Sequence, residues 1–315
     1  MTAPYAIGVD MGGTKIAFAL ADRQGNVLAR DQTPTLAAEG AEAVIDRIAD
    51  GVRRMMAQAP GEVAGVGVCS PGQVDSSSGF VHNAVNLGWK SVDLRGGLRA
   101  RLGDMPVFMQ KDANALALGE MVYGAARKCS DFVYVAVGTG LGGGAVTGGQ
   151  LITGATFFPT EIGHLSLDPE GRACACGLRG CPEMYVSGVG FRAAVLEYRA
   201  EYPESLLARL ETPDAADVVR AAGQNDALAL RVLAEGGRWL GAIIACCAGI
   251  LNPALVVLGG GLGLAAASYL LPEAERELRR RVLPVTADGL RFVLSEVQES
   301  ALGAAALVWY GLDWR

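Results

Sequence analysis

A duplicated, two-domain α/β fold is what this sequence predicts, and three features predict it. The first is length, since 315 residues exceed what one hydrophobic core usually holds. The second is an apolar run at residues 5–9 that ends in Asp10 and a glycine pair, followed by a second apolar run at residues 16–20. That is strand, glycine turn, strand. The third is recurrence: residues 131–137, the glycine-rich 138–144 and then Ala145-Val146-Thr147 repeat the unit about 130 residues later, which reads as an internal duplication with two opposed turns.

The remaining elements follow in order. A turn at residues 22–26 leads to a third strand at Val27-Leu28, making a meander rather than a βαβ unit. Residues 39–59 have helical spacing (Val44, Ile45, Ile48, Val52, Met55, Met56), and residues 63–69 form a buried strand. Residues 119–127 read as the end of a helix bridging the halves. After the second glycine unit come a turn at Gly148-Gly149, a strand at residues 150–152, helical stretches over 189–222 and 226–249, and a strand at 254–258 entering Gly259-Gly260-Gly261. The expected domains are residues 1–118, a small N-terminal α/β domain completed by a C-terminal helix at about 299–315, and residues 119–298, a larger C-terminal domain.

Composition excludes several classes. A net charge of −6, with no Lys/Arg cluster dense enough to make a basic surface, argues against nucleic-acid binding. Residues 1–4 carry no basic region ahead of the apolar run, so no signal peptide is expected. The apolar tract 241–271 is broken by Asn252-Pro253 and by three glycines, and reads as buried helix, turn and strand rather than a membrane span. A soluble, cytoplasmic protein is expected. Its seven cysteines then do not form a disulfide framework; Cys69, Cys129, Cys246 and Cys247 are read as core residues.

Asp10-Met11-Gly12-Gly13-Thr14-Lys15 carries more than an ordinary tight hairpin needs. Glycines let backbone N–H groups approach an anion and cradle phosphate. Thr14 adds a hydroxyl, Lys15 a positive charge, and Asp10 a carboxylate suited to Mg2+. The second turn, Gly138-Thr139-Gly140-Leu141-Gly142-Gly143-Gly144, also satisfies G-x-G-x-x-G. A dinucleotide site of that type needs a helix to follow, whereas residues 145–152 read as strand, turn, strand. Two opposed glycine hairpins fit a nucleotide's phosphates held between two domains.

His164, Cys174, Cys176 and Cys181 form His-x9-Cys-x-Cys-x4-Cys. Three thiolates and an imidazole suit tetrahedral Zn2+, and four protein ligands leave no open position, so the site is structural. Gly177 and Gly180 let the chain turn between ligands. A Cys-x-Cys redox pair would not recruit a histidine and a third cysteine, and no basic helix follows as in a DNA-reading finger. Glu161 lies just before His164 and Glu183 just after Cys181, so the metal would hold acceptors and donors at rigid positions, as a polyhydroxylated ligand requires. Loss of the metal should disturb that ligand's site more than the glycine turns.

These motifs together resemble the ROK family of bacterial sugar kinases, along the whole chain and in order: D-M-G-G-T-K, S-P-G-Q-V-D (70–75), N-L-G-W (86–89), D-A-N-A (112–115), G-T-G-L-G-G-G, E-I-G-H and C-A-C-G-L-R-G-C-P-E. The resemblance implies the two-domain actin/hexokinase-like (ribonuclease H-like) fold, an active-site cleft between the domains, ATP and Mg2+. It implies that Asp112 is the general base, taking the proton of a sugar hydroxyl as that oxygen attacks the γ-phosphate; read alone, Asp112 also suits a helix N-cap. It implies sugar contacts at Gly72, Asn86, Glu161, His164 and Glu183. Nucleotide contacts would come from Asp10, Gly12, Gly13, Thr14, Lys15, Gly138, Thr139, Gly140 and Gly142. Gly260 and Gly261 match an adenosine-contacting turn, or simply a strand-to-helix turn. One position departs: Lys111 stands where the family usually has Asn, and its ammonium would either weaken Asp112 as a base or reach a phosphate or the sugar.

The resemblance favours glucose phosphorylated on its 6-hydroxyl, with N-acetylglucosamine or N-acetylmannosamine as alternatives, in a homodimer or homotetramer. A ROK repressor would carry a DNA-binding domain ahead of the kinase-like region, and a strand starting at Tyr5 leaves no room for one. Retention of Asp10, Lys15 and Asp112 argues against a non-catalytic relic.

Overall fold

The computed structural model describes residues 4–313; the readings made on residues 1–3 and on the last two residues of the C-terminal helix lie outside them. The chain divides into two compact units. The first holds residues 4–130, 149–159 and 296–313, the second residues 131–148 and 160–295.

The first unit opens with the antiparallel meander β1 (Tyr5–Met11), β2 (Lys15–Asp22) and β3 (Val27–Pro34). β1 is central and buried almost throughout, whereas β3 alternates half-buried and exposed residues as an edge strand should. Helix α1 (Ala41–Gln58) buries Val44, Ile45, Ile48, Val52 and Met55 along one stripe, and Met56 falls off that stripe at 39% exposure. Then come β4 (Val63–Ser70), the short β5 (Gln73–Val74), β6 (Phe80–Ala84), β7 (Trp89–Asp93) and α2 (Leu94–Leu102). The Asp93 carboxylate caps α2 by accepting from Gly96 N at 2.8 Å. β8 (Val107–Lys111) and α3 (Asp112–Val122) follow. The main sheet runs β3-β2-β1-β4-β8, with β1, β4 and β8 parallel; β5-β6-β7 form a separate antiparallel sheet.

The second unit repeats the plan. β9 (Phe132–Val137) and β10 (Leu141–Thr147) make an antiparallel hairpin. The chain then passes through β11 (Gln150–Leu151), which belongs to the first unit and whose Leu151 N–H donates to Tyr310 OH at 2.9 Å. Back in the second unit are α4 (Gly188–Tyr198), α5 (Ala215–Ala222), α6 (Ala227–Leu251), β12 (Leu255–Gly259), α7 (Gly261–Arg281), α8 (Pro284–Gly289) and β13 (Arg291–Leu294). β10, β9, β12 and β13 lie side by side, the last three parallel. That is the order of β2, β1, β4 and β8, so the duplication read in the sequence is present in the strands.

Two elements differ from the sequence reading. The second glycine turn is confined to residues 138–140, because Gly142, Gly143 and Gly144 continue the ladder opposite Ala136, Val135 and Tyr134. The helical stretch over 189–222 is two helices, α4 and α5; Pro203 and Pro213 interrupt it, and Asp214 restarts the chain with a capping box to Asp217. Helix α6 is long and apolar enough to cross a membrane by length and composition, yet 56% of its most apolar window is buried, and it packs on α7.

The last helix, α9 (Ser300–Asp313), returns to the first unit and lies directly on the sheet. An added Cβ would fall 1.7 Å from Ala301 O at Gly8 and 1.8 Å from Ala304 O at Gly67. Trp309 Nε1 donates to Tyr123 OH at 2.6 Å. Fully buried Glu120 accepts from Ala125 N at 2.8 Å and Val297 N at 2.9 Å, tying the end of α3 to the segment leading into α9. Gly67→Ala should therefore cost about 3 kcal/mol or more in urea unfolding, since the helix must back away from the strand. Gly249→Ala, in α6 with open space around it, should be neutral or stabilising by up to about 1 kcal/mol.

Candidate active site and metal centre

Parallel strands gather their C-terminal ends at one edge, and in the first unit that edge collects the candidate residues. β1, β4 and β8 are in register Asp10↔Cys69↔Gln110, with Ser70 opposite Lys111. Cys69, read as a core residue, is buried but also polar in effect: its Sγ donates to Asp10 Oδ1 at 3.3 Å. Burial pushes this thiol well up, and the charges of Asp10 and Asp112 push it further, so it stays a neutral donor. Asp112 is exposed and is the first helical residue of α3, while Lys111 holds the N-cap position and is only 8% exposed. Asp112 Oδ1 accepts from Ala113 N at 2.7 Å, so the carboxylate is not in the N-cap position that its sequence context also allows.

The first glycine turn is closed by Gly12 N donating to Lys15 O at 2.9 Å, leaving Thr14 and Lys15 exposed. Behind it sits a residue no motif signalled. Thr35 is fully buried; its Oγ1 donates to Gly12 O at 2.7 Å and its N–H to Thr14 O at 2.9 Å. Arg47 in turn donates to Thr35 O at 3.2 Å. Exposed Asn86 backs onto the same turn, where a Cβ on Gly13 would lie 3.1 Å from the Asn86 Cβ. Gly72 packs against β6, 2.7 Å from His82 O by the same measure.

In the second unit, the turn at residues 138–140 is gripped from two sides. Gly188 N and Val189 N, at the start of α4, donate to Gly138 O and Thr139 O at 2.8 and 3.3 Å. Leu141 N donates to Glu183 Oε2 at 3.0 Å. Glu183, expected as a sugar contact, thus commits one oxygen to the glycine turn. Gly142 lies within β10 rather than in the turn. Gly260 links β12 to α7 and Gly261 is the first residue of that helix, so the pair forms a strand-to-helix turn.

The metal motif closes on itself. Cys174 N donates to Leu178 O at 2.8 Å and Gly177 N to Cys174 O at 3.0 Å, making a tight knuckle. Gly180 takes φ +62° with Asp168 O where a Cβ would sit, a position open only to glycine. One ligand atom from each of His164, Cys174, Cys176 and Cys181 lies within 4.8 Å of all the others. His164 Nδ1 is 3.7 Å from Cys174 Sγ, and the Cys176 and Cys181 sulfurs are 3.6 Å apart. Tetrahedral zinc with bonds of about 2.3 Å sets sulfurs about 3.8 Å apart, so the donor set fits. Burial pushes Cys174 and Cys181 up, the latter to about 12, while the Leu178 N–H draws Cys176 down. A divalent cation among them would favour the thiolate at all three. His164 uses Nδ1 toward the sulfurs, which leaves Nε2 for another partner.

Two further features adjoin this centre. Thr160, just before half-buried Glu161, holds φ +56°, a strained conformation for a β-branched residue, and its Oγ1 donates to Gly143 O at 2.8 Å. Arg172, within the loop, bonds Glu197 at 2.7 Å, Glu235 and Tyr198 OH at 2.9 Å, and Met184 O at 3.1 Å. Its guanidinium lies 4.4 Å from the Tyr185 ring centre.

Comparison with known proteins places the chain. The ROK family profile matches residues 6–310. A glucokinase of Halalkalibacterium halodurans is 34% identical over 309 residues, covering 96% of this chain and 93% of that one. A ROK hexokinase structure from Thermus thermophilus superposes with a TM-score of 0.81 at 30% identity, covering 98% and 99% of the two chains. A ROK family transcriptional regulator, a homologue of the E. coli MLC protein, gives 0.87 at 28% identity, covering 96% of this chain and 77% of that one. The chain belongs to the ROK family, and its fold is the actin/hexokinase-like α/β fold of the ROK sugar kinases.

Two outcomes follow. If the first glycine turn holds a nucleotide's phosphates, Thr35→Val, which keeps shape but removes the donor to Gly12, should weaken nucleotide affinity about tenfold and Thr35→Ser should restore it; calorimetry reads both. Metal analysis should return one zinc per chain, and chelation or Cys181→Ser should lower Tm by about 5–10 °C. Because the second turn is bonded to Glu183 and α4, metal loss should also disturb that turn, and hydrogen exchange at the Leu141 amide should quicken.

Proposed function

We propose that the chain is an ATP-dependent hexose kinase acting on the 6-hydroxyl, with glucose as the leading substrate. The observation that carries this is the sheet edge of the first unit. Parallel register sets Asp10 level with Cys69, which donates to it, and Ser70 opposite Lys111, the residue before Asp112, beside a glycine turn bearing Thr14 and Lys15. One carboxylate at the start of a helix and another at a strand end suit general-base and cation-binding roles respectively.

In this reading Asp112 accepts the proton of the sugar hydroxyl as that oxygen bonds to the γ-phosphorus. The bond from phosphorus to the bridging oxygen breaks, and ADP and the sugar phosphate leave. Asp112 is held at the first position of α3, with its Oδ1 accepting from Ala113 N. Mg2+ held through Asp10 would offset charge on the phosphates. The N–H groups of Gly13, Thr139 and Gly140, with Thr14 and Lys15, bind those phosphates, Gly12 and Gly138 close the turns that aim them, and Gly260 and Gly261 approach the adenosine. Sugar hydroxyls are met by Asn86, Glu161, His164 Nε2 and Glu183, with Gly72 close by. Buried Lys111 supplies a donor where the family usually has an amide. Cytoplasmic location and a homodimer or homotetramer complete the proposal.

The glucokinase relative favours glucose; N-acetylglucosamine and N-acetylmannosamine are the other candidates. A sugar-sensing regulator is the second reading, favoured by the likeness to the ROK regulator structure. A coupled ADP-release assay across glucose, mannose, fructose, N-acetylglucosamine and N-acetylmannosamine should find turnover with glucose highest. No ADP from any of them, together with sequence-specific retention of DNA in a gel shift, would establish the regulator instead. Asp112→Asn should lower kcat by about 10²–10⁴-fold while calorimetry shows sugar affinity within about threefold of wild type.

A further inference from the structure

Glu183 sits inside one hydrogen-bonded network that joins the second glycine turn to the metal loop. Its Oε2 accepts from Leu141 N at 3.0 Å and occupies the space a Cβ on Gly140 would need, 2.5 Å away. On the turn's other side, the first residues of α4 hold Gly138 O and Thr139 O. The Glu183 carbonyl accepts from Ser187 Oγ at 2.6 Å, and that oxygen accepts from Gly190 N at 3.1 Å. Met184 N donates to Cys181 O at 2.9 Å, which carries the chain back to the metal ligands. Oε1 makes no hydrogen bond among the described residues.

We propose that Glu183 is a coupling residue: with Oε2 on the glycine turn and Oε1 on a sugar hydroxyl, it makes nucleotide and sugar binding mutually reinforcing. The inference rests on the kinase reading above and goes beyond it. Two physical effects give the coupling its sign. A carboxylate held against a phosphate-binding turn is a like charge, and a hydroxyl donating to Oε1 draws charge away from it. A sugar on Oε1 also fixes the Glu183 side chain and, through Oε2, the Leu141 amide. The turn is then ordered before the nucleotide arrives, which lowers the entropy lost on binding. Linkage makes the effect reciprocal.

The test is calorimetry with a non-hydrolysable ATP analogue and Mg2+, with and without saturating glucose or whichever hexose shows the highest turnover. In wild type, the sugar should tighten analogue binding by about 5–50-fold, and the analogue should tighten sugar binding by the same factor. Glu183→Gln retains an oxygen that can accept from Leu141 but loses the charge; it should bind the analogue alone more tightly than wild type, with coupling reduced to about twofold or less. An analogue Kd indifferent to sugar in wild type, or an unchanged coupling factor in the variant, overturns the proposal. Hydrogen exchange needs no variant: sugar alone should slow exchange of the Leu141 amide, and unchanged exchange also overturns it. A protein that binds the analogue but no hexose fails at the kinase reading, and the coupling falls with it.

Discussion

Backbone lying closer than a side chain permits is the constraint on which both the fold and the candidate site rest. Helix α9 settles on β1 and β4 only because Gly8 and Gly67 present no Cβ to Ala301 O and Ala304 O. The same device recurs where chemistry is expected: the turn at Gly13 backs onto Asn86, and Gly140 admits the Glu183 carboxylate. Glycine costs conformational entropy, and each of these contacts offsets that cost with packing or a hydrogen bond. The turns are therefore held by what fills the vacated space, which is what a phosphate cradle needs if its N–H groups are to be aimed before the ligand arrives.

The sheet edges then decide which side chains meet. In the first unit, parallel register brings Asp10, Cys69 and Gln110 level, so the residues that follow each strand share one rim. Cys69 shows how a residue type is recast by its place in that register. A buried thiol would ordinarily be inert filler, yet here it donates to Asp10 and, being pushed up by burial and two carboxylates, cannot become a competing anion. Lys111 occupies the last position of the adjacent strand, where burial of a cation beside Asp112 departs from the amide expected there.

What the sequence made legible was local. The glycine turns and the Cys/His cluster announce themselves because their ligands lie within short stretches and their residue types are chemically restrictive. The repeated hairpin was legible for the same reason. Thr35 was not, because its bond to Gly12 spans 23 residues and a lone threonine after a proline carries no pattern. Arg172 reaches Glu235 across 63 residues, and the Leu141–Glu183 bond spans 42. Periodicity also ran through Pro203 and Pro213, since apolar spacing persists on both sides of a break. Glycine read as turn at 142–144, where ladder pairing with β9 overrides the local signal.

The metal loop shows how these non-local contacts bear on chemistry. Between Leu165 and Cys181 it buries little apolar surface, with Leu165 and Leu178 exposed at 46% and 50%. Hydrophobic burial therefore does little to fix it. Two anchors remain: the candidate ligand set, and Arg172, bonded to two carboxylates and stacked on Tyr185. Arg172 also grips Met184 O, the residue beside Glu183. Position is thus passed from the candidate metal ligands and the guanidinium to Glu183, and from its carboxylate to the Leu141 amide. A cation that would meet no phosphate can still help to set where the second glycine turn points its N–H groups.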